Sequence, residues 1–320
     1  MATAKFTLSD GTTVDVPFNL PTINVSPTPT SKVNFGYSAQ PGELTKIKGL
    51  GFKDPKVIRV FESDATLSTA ASTFSTAYAT WLSWKPSQLS TATWGTQVDT
   101  YVRSTVPKNV RVLFSAHHEP ENNAGSGQTL TQWAAAWRAG ATNITAACAK
   151  LRSEGWDVWS APIICDWVFE GWSGQSIGLW YPTDGSIKVD YLGFDSYPQG
   201  QNAAGKKNIA RLRMDADFKP SLYADPSVFD CYKSFRRTAD YATKFGKPWA
   251  IGELGLVRGD LSGADVQYKY SLQNRADWHE IAGKDMKSLT NPPTYVTWYM
   301  DGGCYVDDPA GISAINKSLV

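Results

Sequence analysis

The chain predicts an α/β fold, a (β/α)8 barrel with a short N-terminal β-hairpin appendage. Three observations point there. From Val33 onward, short apolar runs alternate with segments of helical apolar spacing; eight such runs can be traced; and the residues richest in chemistry stand at the C-terminal ends of those runs. At 320 residues the chain is long enough for one barrel domain.

The first element is a hairpin. Residues 4–17 alternate apolar and polar (Phe6, Leu8, then Val14, Val16) around Ser9-Asp10-Gly11, where Asp-Gly suits a tight turn. Asn19 to Lys32 is rich in Pro, Ser and Thr and reads as a linker or strap. Residues 1–32 are therefore expected to be a hairpin and linker, and 33–320 the (β/α)8 barrel. The expected strands are Val33–Tyr37, Val57–Phe61, Ala79–Trp84, Val110–Ala116, Val158–Cys165, Val189–Phe194, Trp249–Gly252 and Tyr295–Tyr299. Helices are expected at Glu43–Gly49, Thr96–Ser104, Leu130–Glu154, Val228–Phe245 and Asp265–Ile281. Two longer interruptions, Glu170–Ile187 and Gly200–Pro226, are expected over the barrel mouth. The basic residues of the second (Lys206, Lys207, Arg211, Arg213) read as a solvated face.

Composition narrows the partners. A formal charge of +1 gives no reason to expect nucleic acid or an anionic membrane surface. Cys148, Cys165, Cys231 and Cys304 are widely spaced, with no C-x-x-C, and read as buried free thiols. The first residues lack the basic start and apolar run of a signal peptide, and no stretch approaches the roughly 18 apolar residues of a membrane span. Thirteen Trp beside fourteen Tyr is a high aromatic load, which suits stacking on sugar faces as well as core filling.

Two of the three histidines fall in Leu113-Phe114-Ser115-Ala116-His117-His118-Glu119-Pro120-Glu121-Asn122. A zinc helix of the H-E-x-x-H kind fails, because the residue four after His118 is Asn122 and Pro120 interrupts any helix. The β-branched and aromatic residues before it suit a buried strand that opens into a polar loop. That fourth strand ends at Glu119, and the seventh, Pro248-Trp249-Ala250-Ile251-Gly252, ends at Glu253. Strand ends four and seven face each other across an eight-fold barrel. Two carboxylates so placed are what glycoside hydrolysis needs, one protonating the leaving oxygen and one attacking the anomeric carbon.

His118-Glu119 after an apolar strand, Trp137-Arg138 in the next helix, Tyr181-Pro182, Val189-Asp190-Tyr191-Leu192-Gly193-Phe194-Asp195-Ser196-Tyr197 and Ile251-Gly252-Glu253-Leu254-Gly255 together resemble glycoside hydrolase family 26, from about Val33 to Trp298. The resemblance implies Glu119 as acid/base and Glu253 as nucleophile. It also implies His118 in contact with the sugar or orienting Glu119, Tyr197 bonded to the nucleophile, and Trp298 as a stacking floor. Asp195, Trp84, Lys85 and Trp167 also end strands and complete the candidate substrate site. The chain departs from the family pattern at Pro120-Glu121-Asn122-Asn123-Ala124-Gly125 and at Ser83-Trp84-Lys85, both around the sugar subsites.

The expected function is thus a retaining endo-β-glycosidase of a polysaccharide, of mannanase-like family, with no cofactor and no metal. The alternative is a non-catalytic glycan-binding barrel of a phage tail or cell-surface assembly, against which the intact carboxylate pair and His118 argue. A metal-dependent hydrolase would need more ligands than His279 adds. The expected setting is extracellular or virion-associated, with attachment to a larger assembly through the N-terminal segment. Retention requires the two carboxyl groups about 5–5.5 Å apart. For His118 and Glu119 both to line the pocket, the chain must break its pleat, so an irregular turn is expected at His117–Pro120.

Overall fold

The computed structural model describes residues 2–7, 13–18, 32–38, 43–62, 67, 74–122, 127–170, 174–196, 200–201, 207–208, 231–255, 272–300 and 304–320. Strands β1 (Ala2–Thr7) and β2 (Thr13–Phe18) pair antiparallel, with Thr7 opposite Thr13, as the alternation around Asp10-Gly11 predicts. The turn between them lies outside the described residues.

The main sheet is parallel. Its strands are β3 (Asn34–Ser38), β4 (Val57–Glu62), β5 (Ala79–Trp84), β6 (Arg111–Ala116), β7 (Asp157–Ser160), β8 (Ile163–Cys165), β9 (Leu192–Ser196), β12 (Trp249–Leu254) and β13 (Tyr295–Tyr299), where β10 (Gly200–Gln201) and β11 (Lys207–Asn208) form a separate short ribbon. In space the order runs β7-β6-β5-β4-β3-β13-β12-β9-β8. The two ends of this order, β7 and β8, are joined only by Ala161-Pro162, so they are halves of one strand and the sheet closes on itself as an eight-stranded barrel. Pro162 has no N–H to give the ladder, which explains the break. Its carbonyl still accepts from Gly193 N at 2.9 Å, and Ala161 N donates to Phe114 O at 2.9 Å.

The helices are α1 (Glu43–Gly49), α2 (Trp94–Thr105), α3 (Leu130–Ser153), α4 (Ile177–Trp180), α5 (Cys231–Phe245), α6 (Leu272–Ser288) and α7 (Pro309–Ser318). Four match expectation within a few residues wherever the chain is described; α6, expected to end at Ile281, runs on to Ser288, and the short α4 and the terminal α7 were not expected. The signal for α7 is Asp308-Pro309: the Asp308 side chain accepts from Gly311 N, and proline occupies the first turn, where its missing N–H costs nothing. At α3, Thr129 and Gln132 form a reciprocal capping box that starts the longest helix. Among the described residues no helix is long and apolar enough to cross a membrane.

Two cores result. The smaller fills the barrel with Val57, Trp81, Leu113, Trp159, Ile163, Tyr191 and Tyr295; the larger lies between the strands and the helices. The larger consumes most of the tryptophan: Trp84, Trp94, Trp133, Trp137, Trp180, Trp249, Trp278 and Trp298 are almost wholly enclosed. The aromatic load that suggested sugar stacking is mainly packing. Residues 174–187, expected over the mouth, dock on this outer layer through Ile177, Trp180, Tyr181 and Ile187, while Gln175 reaches the turn Pro120–Asn122 beside Glu119. Most of 200–226 lies outside the described residues. Cys148, Cys165 and Cys304 are buried free thiols as expected, and the Cys231 side chain lies outside the described set.

Candidate active site

The fourth barrel strand ends in a backbone irregularity. His117 and Glu119 both adopt positive φ, 50° and 52°, a region that costs a non-glycine residue about 1–2 kcal/mol. The surroundings hold them there. His117 N donates to Trp84 O at 2.7 Å, Glu119 N to Ile163 O at 3.0 Å and Asn122 N to Glu119 O at 3.1 Å. From α3, Trp137 Nε1 donates to His117 O at 3.2 Å and Trp133 Nε1 to Pro120 O at 2.9 Å. The backbone polar groups freed by the broken pleat are thereby paired.

This twist separates the two histidines. His117 turns outward between Trp94 and Trp133, 4.8 Å from the latter's ring centre, and burial with the charge of Lys85 pulls it down to about 4. His118 packs edge-on to Phe61 at 5.6 Å; burial and the Arg59 charge hold it well below the usual range, so it is neutral. Its Nδ1 is enclosed and has no hydrogen-bond partner among the described residues.

Glu119 faces Asp195 from β9 and Glu253 from β12. One carboxylate oxygen from each lies within 4.8 Å of the others. Glu253 reaches this position through a bulge: the register of β12 against both neighbours shifts after Ile251. Gly252 makes the bulge possible. A Cβ there would come 2.7 Å from Arg59 Nη1 and 2.8 Å from Asp195 Oδ1, and the Thr297 hydroxyl donates to the Gly252 carbonyl.

Arg59, which sequence reasoning missed, is the centre of the cluster. Its side chain is completely enclosed, with Nη1 2.8 Å from Asp195 and 3.1 Å from Glu253, and Nε donating to Ser83 Oγ at 3.0 Å. The available signal was a lone cation inside the apolar run Val57-Ile58-Arg59-Val60-Phe61, at an inward position. Asp195 is fully buried; burial raises it well above the ordinary carboxylate range, with Arg59 opposing and Glu253 and Glu119 reinforcing. The three carboxylates have the donor set of a cation site, but the guanidinium already supplies positive charge at two of them. Glu119 is met by neutral donors: Cys165 Sγ gives to Oε1 at 3.0 Å and Asn122 Nδ2 to Oε2 at 3.3 Å.

The remaining candidates divide. Lys85 is exposed, close enough for its charge to act on His117 and His118, and Trp167 is half-buried in the turn Asp166–Glu170. Tyr197 lies outside the described residues. Trp298 and Trp84 are corrections. Trp298 is sealed behind β13, stacked on Phe35 and edge-on to Trp278, with Nε1 donating to Ser318 Oγ at 3.1 Å. Trp84 is sealed behind β5, edge-on to Phe114 and bonded to Gln97 of α2. Strand alternation turns both outward and gives the inward places to Thr297 and Ser83. Tyr299, half-buried and 6.3 Å from the Phe61 ring, is the aromatic that β13 brings toward His118.

Fold and site together define a closed (β/α)8 barrel with a carboxylate cluster at the C-terminal ends of its strands. No known family model matches the chain, and no curated protein matches it. Among solved structures, GH26C from Muricauda sp. superposes with a TM-score of 0.52 at 12% identity, covering 90% of this chain and 85% of that one. A mutant of a hyperthermophilic β-glucosidase superposes with a TM-score of 0.50 at 10% identity, covering 89% of this chain and 99% of that one. At these identities the likeness shows the fold, a barrel that this chain has in common with glycoside hydrolases.

Proposed function

We propose that the protein is a retaining β-glycosidase acting on a polysaccharide, with Glu119 as acid/base and Glu253 as nucleophile. The observation that carries this reading is the approach of the two carboxylates, with oxygens within 4.8 Å across the mouth. Such a close approach of oxygens supports direct attack, whereas an inverting enzyme holds its carboxyl groups roughly 6.5–9.5 Å apart to admit a water. The neighbours differ in the sense the chemistry requires. Arg59 sets a positive charge 3.1 Å from Glu253, whereas Glu119 is met by the neutral Cys165 thiol and Asn122 amide.

In the first step Glu253 attacks the anomeric carbon while Glu119 protonates the departing glycosidic oxygen. In the second, Glu119 takes a proton from water, which displaces Glu253 and restores the original anomeric configuration. His118, neutral and only partly buried at the strand end beside Glu119, is the candidate to meet a sugar hydroxyl. Lys85 and Trp167 are the further candidates for sugar contact.

The test is a glycan-panel digest by wild type and Glu253→Ala, with products followed by mass spectrometry and their first-formed anomer by NMR. Retained configuration and no turnover by the variant are expected. Inverted product, or wild-type rates in Glu253→Ala, would sink the assignment. Glycan binding without product release would replace it with a non-catalytic glycan-binding barrel.

A further inference from the structure

The turn that carries Glu119 holds a further carboxyl group, which the mechanism does not use. Glu121, in the turn Pro120–Asn122, is only 4% exposed. Its Oε1 accepts from the Cys165 amide, and its carbonyl accepts from Gln175 Nε2 at 3.1 Å. Its Oε2 is enclosed with no hydrogen-bond partner among the described residues. Burial, then the neighbouring Glu119, push Glu121 up to about 8, so it carries a proton at neutral pH. Cys165 continues the connection. Burial and the surrounding carboxylates raise its thiol well above the usual range, and the protonated sulfur donates to Glu119 Oε1 at 3.0 Å. Asn122 Nδ2 touches both ends, 3.3 Å from Glu119 Oε2 and 3.6 Å from Cys165 Sγ.

We propose that Glu121 is a positioning residue that works as a neutral acid: through the Cys165 amide it latches the end of the fifth barrel strand, and so seats the Cys165 thiol against Glu119 Oε1. The proposal deepens the glycosidase reading and rests on Glu119 being the acid/base. Among the described residues the titratable groups facing Glu121 are Glu119 from its own turn, Cys165 from β8 and Tyr181 from the segment after α4. The Tyr181 hydroxyl is already directed at the Pro162 and Gly193 carbonyls. The Cys165 amide bond by itself favours the anion, but burial and the neighbouring Glu119 outweigh it, so Glu121 holds the latch as a neutral acid.

Two readouts judge this without turnover. In infrared difference spectra between wild type and Glu121→Gln, a protonated-carboxyl band should be present at pH 6 and absent above pH 9. The S–H stretch of Cys165, isolated by difference with Cys165→Ala, should shift in Glu121→Ala. Stability should follow the proton: a raised folded-state pKa gives stability that is full below 4.5 and lost as pH rises through about 8, by up to about tenfold in the unfolding constant per pH unit. Glu121→Gln should abolish that slope. The opposite slopes of His117 and His118 are common to both proteins and cancel in the comparison. For a glycan that wild type cleaves, Glu121→Ala and Cys165→Ala should each lower kcat by about tenfold or more with KM held, and Glu121→Gln should recover most of the loss. No carboxyl band, the same pH slope in wild type and Glu121→Gln, or an unchanged kcat in Cys165→Ala would overturn the proposal. If wild type cleaves no glycan, the glycosidase reading falls, while the infrared and stability results still decide the state of Glu121.

Discussion

Arg59 Nη1 lies 2.8 Å from Asp195 and 3.1 Å from Glu253, so a single enclosed guanidinium joins the carboxylates of neighbouring strands β9 and β12 from across the barrel. Replacing Arg59 with Met leaves two buried carboxylates without their cation. Loss of one member of a buried pair costs about 3–5 kcal/mol. A fall of that size in urea stability, with loss of hydrolysis, is expected. Arg59→Lys should recover part of the stability but not the paired geometry, because an ammonium lacks the planar fork.

Gly252 is the second sensitive position. A methyl group there meets Arg59 Nη1 and Asp195 Oδ1 below van der Waals distance, and the Ile163 side chain at 2.7 Å. Gly252→Ala is expected to cost about 1–3 kcal/mol by overpacking and to lower kcat by moving Glu253. Thermal melting with kinetics on the same preparation reads both. A fully active, equally stable variant would refute the role of the bulge.

His117 should govern part of the acid limb of stability. Its folded-state value, about 4, lies below the ordinary 6.5, so the unfolded chain binds the extra proton between these values. Its contribution is present above pH 6.5 and lost as pH falls through 4, by at most about 1.4 kcal/mol per pH unit. His117→Phe, packed between the same indoles, should flatten the wild-type slope in denaturant melts across that window. Glu121 slopes the other way in wild type and variant alike.

Trp298 separates packing from substrate binding. Because it is sealed between β13 and helices α6 and α7, Trp298→Ala should destabilise by about 3–5 kcal/mol. Trp298→Phe should melt lower than wild type yet leave KM unchanged. A selective rise in KM would restore it to the sugar site.

The barrel was legible because both of its periodicities are in the chain, and the carboxylates because strand ends four and seven are easily counted. What escaped was direction. Strands of a closed parallel barrel are buried on both faces, so polarity does not alternate clearly and the inward face is not marked. Trp84 and Trp298 were therefore expected in the mouth, where Ser83 and Thr297 stand. Arg59 was hidden for a related reason: an inward cation is identifiable only once its partners, far away in sequence, are known. The pleat break at His117–Glu119 was readable because two functional neighbours cannot share a face on a regular strand, and Pro120 offers a place to stop it.

The pairing of β3 with β13 joins Asn34–Ser38 to Tyr295–Tyr299, and Asn34 Nδ2 adds a bond to Thr294 O at 3.0 Å. A chain emerging from the ribosome makes β3 early and must wait for almost the whole sequence before this partner exists. Until then β3 has one open edge, able to pair with any passing strand. The barrel can close only once Tyr295–Tyr299 are made, because β13 supplies both this seam and the ladder to β12.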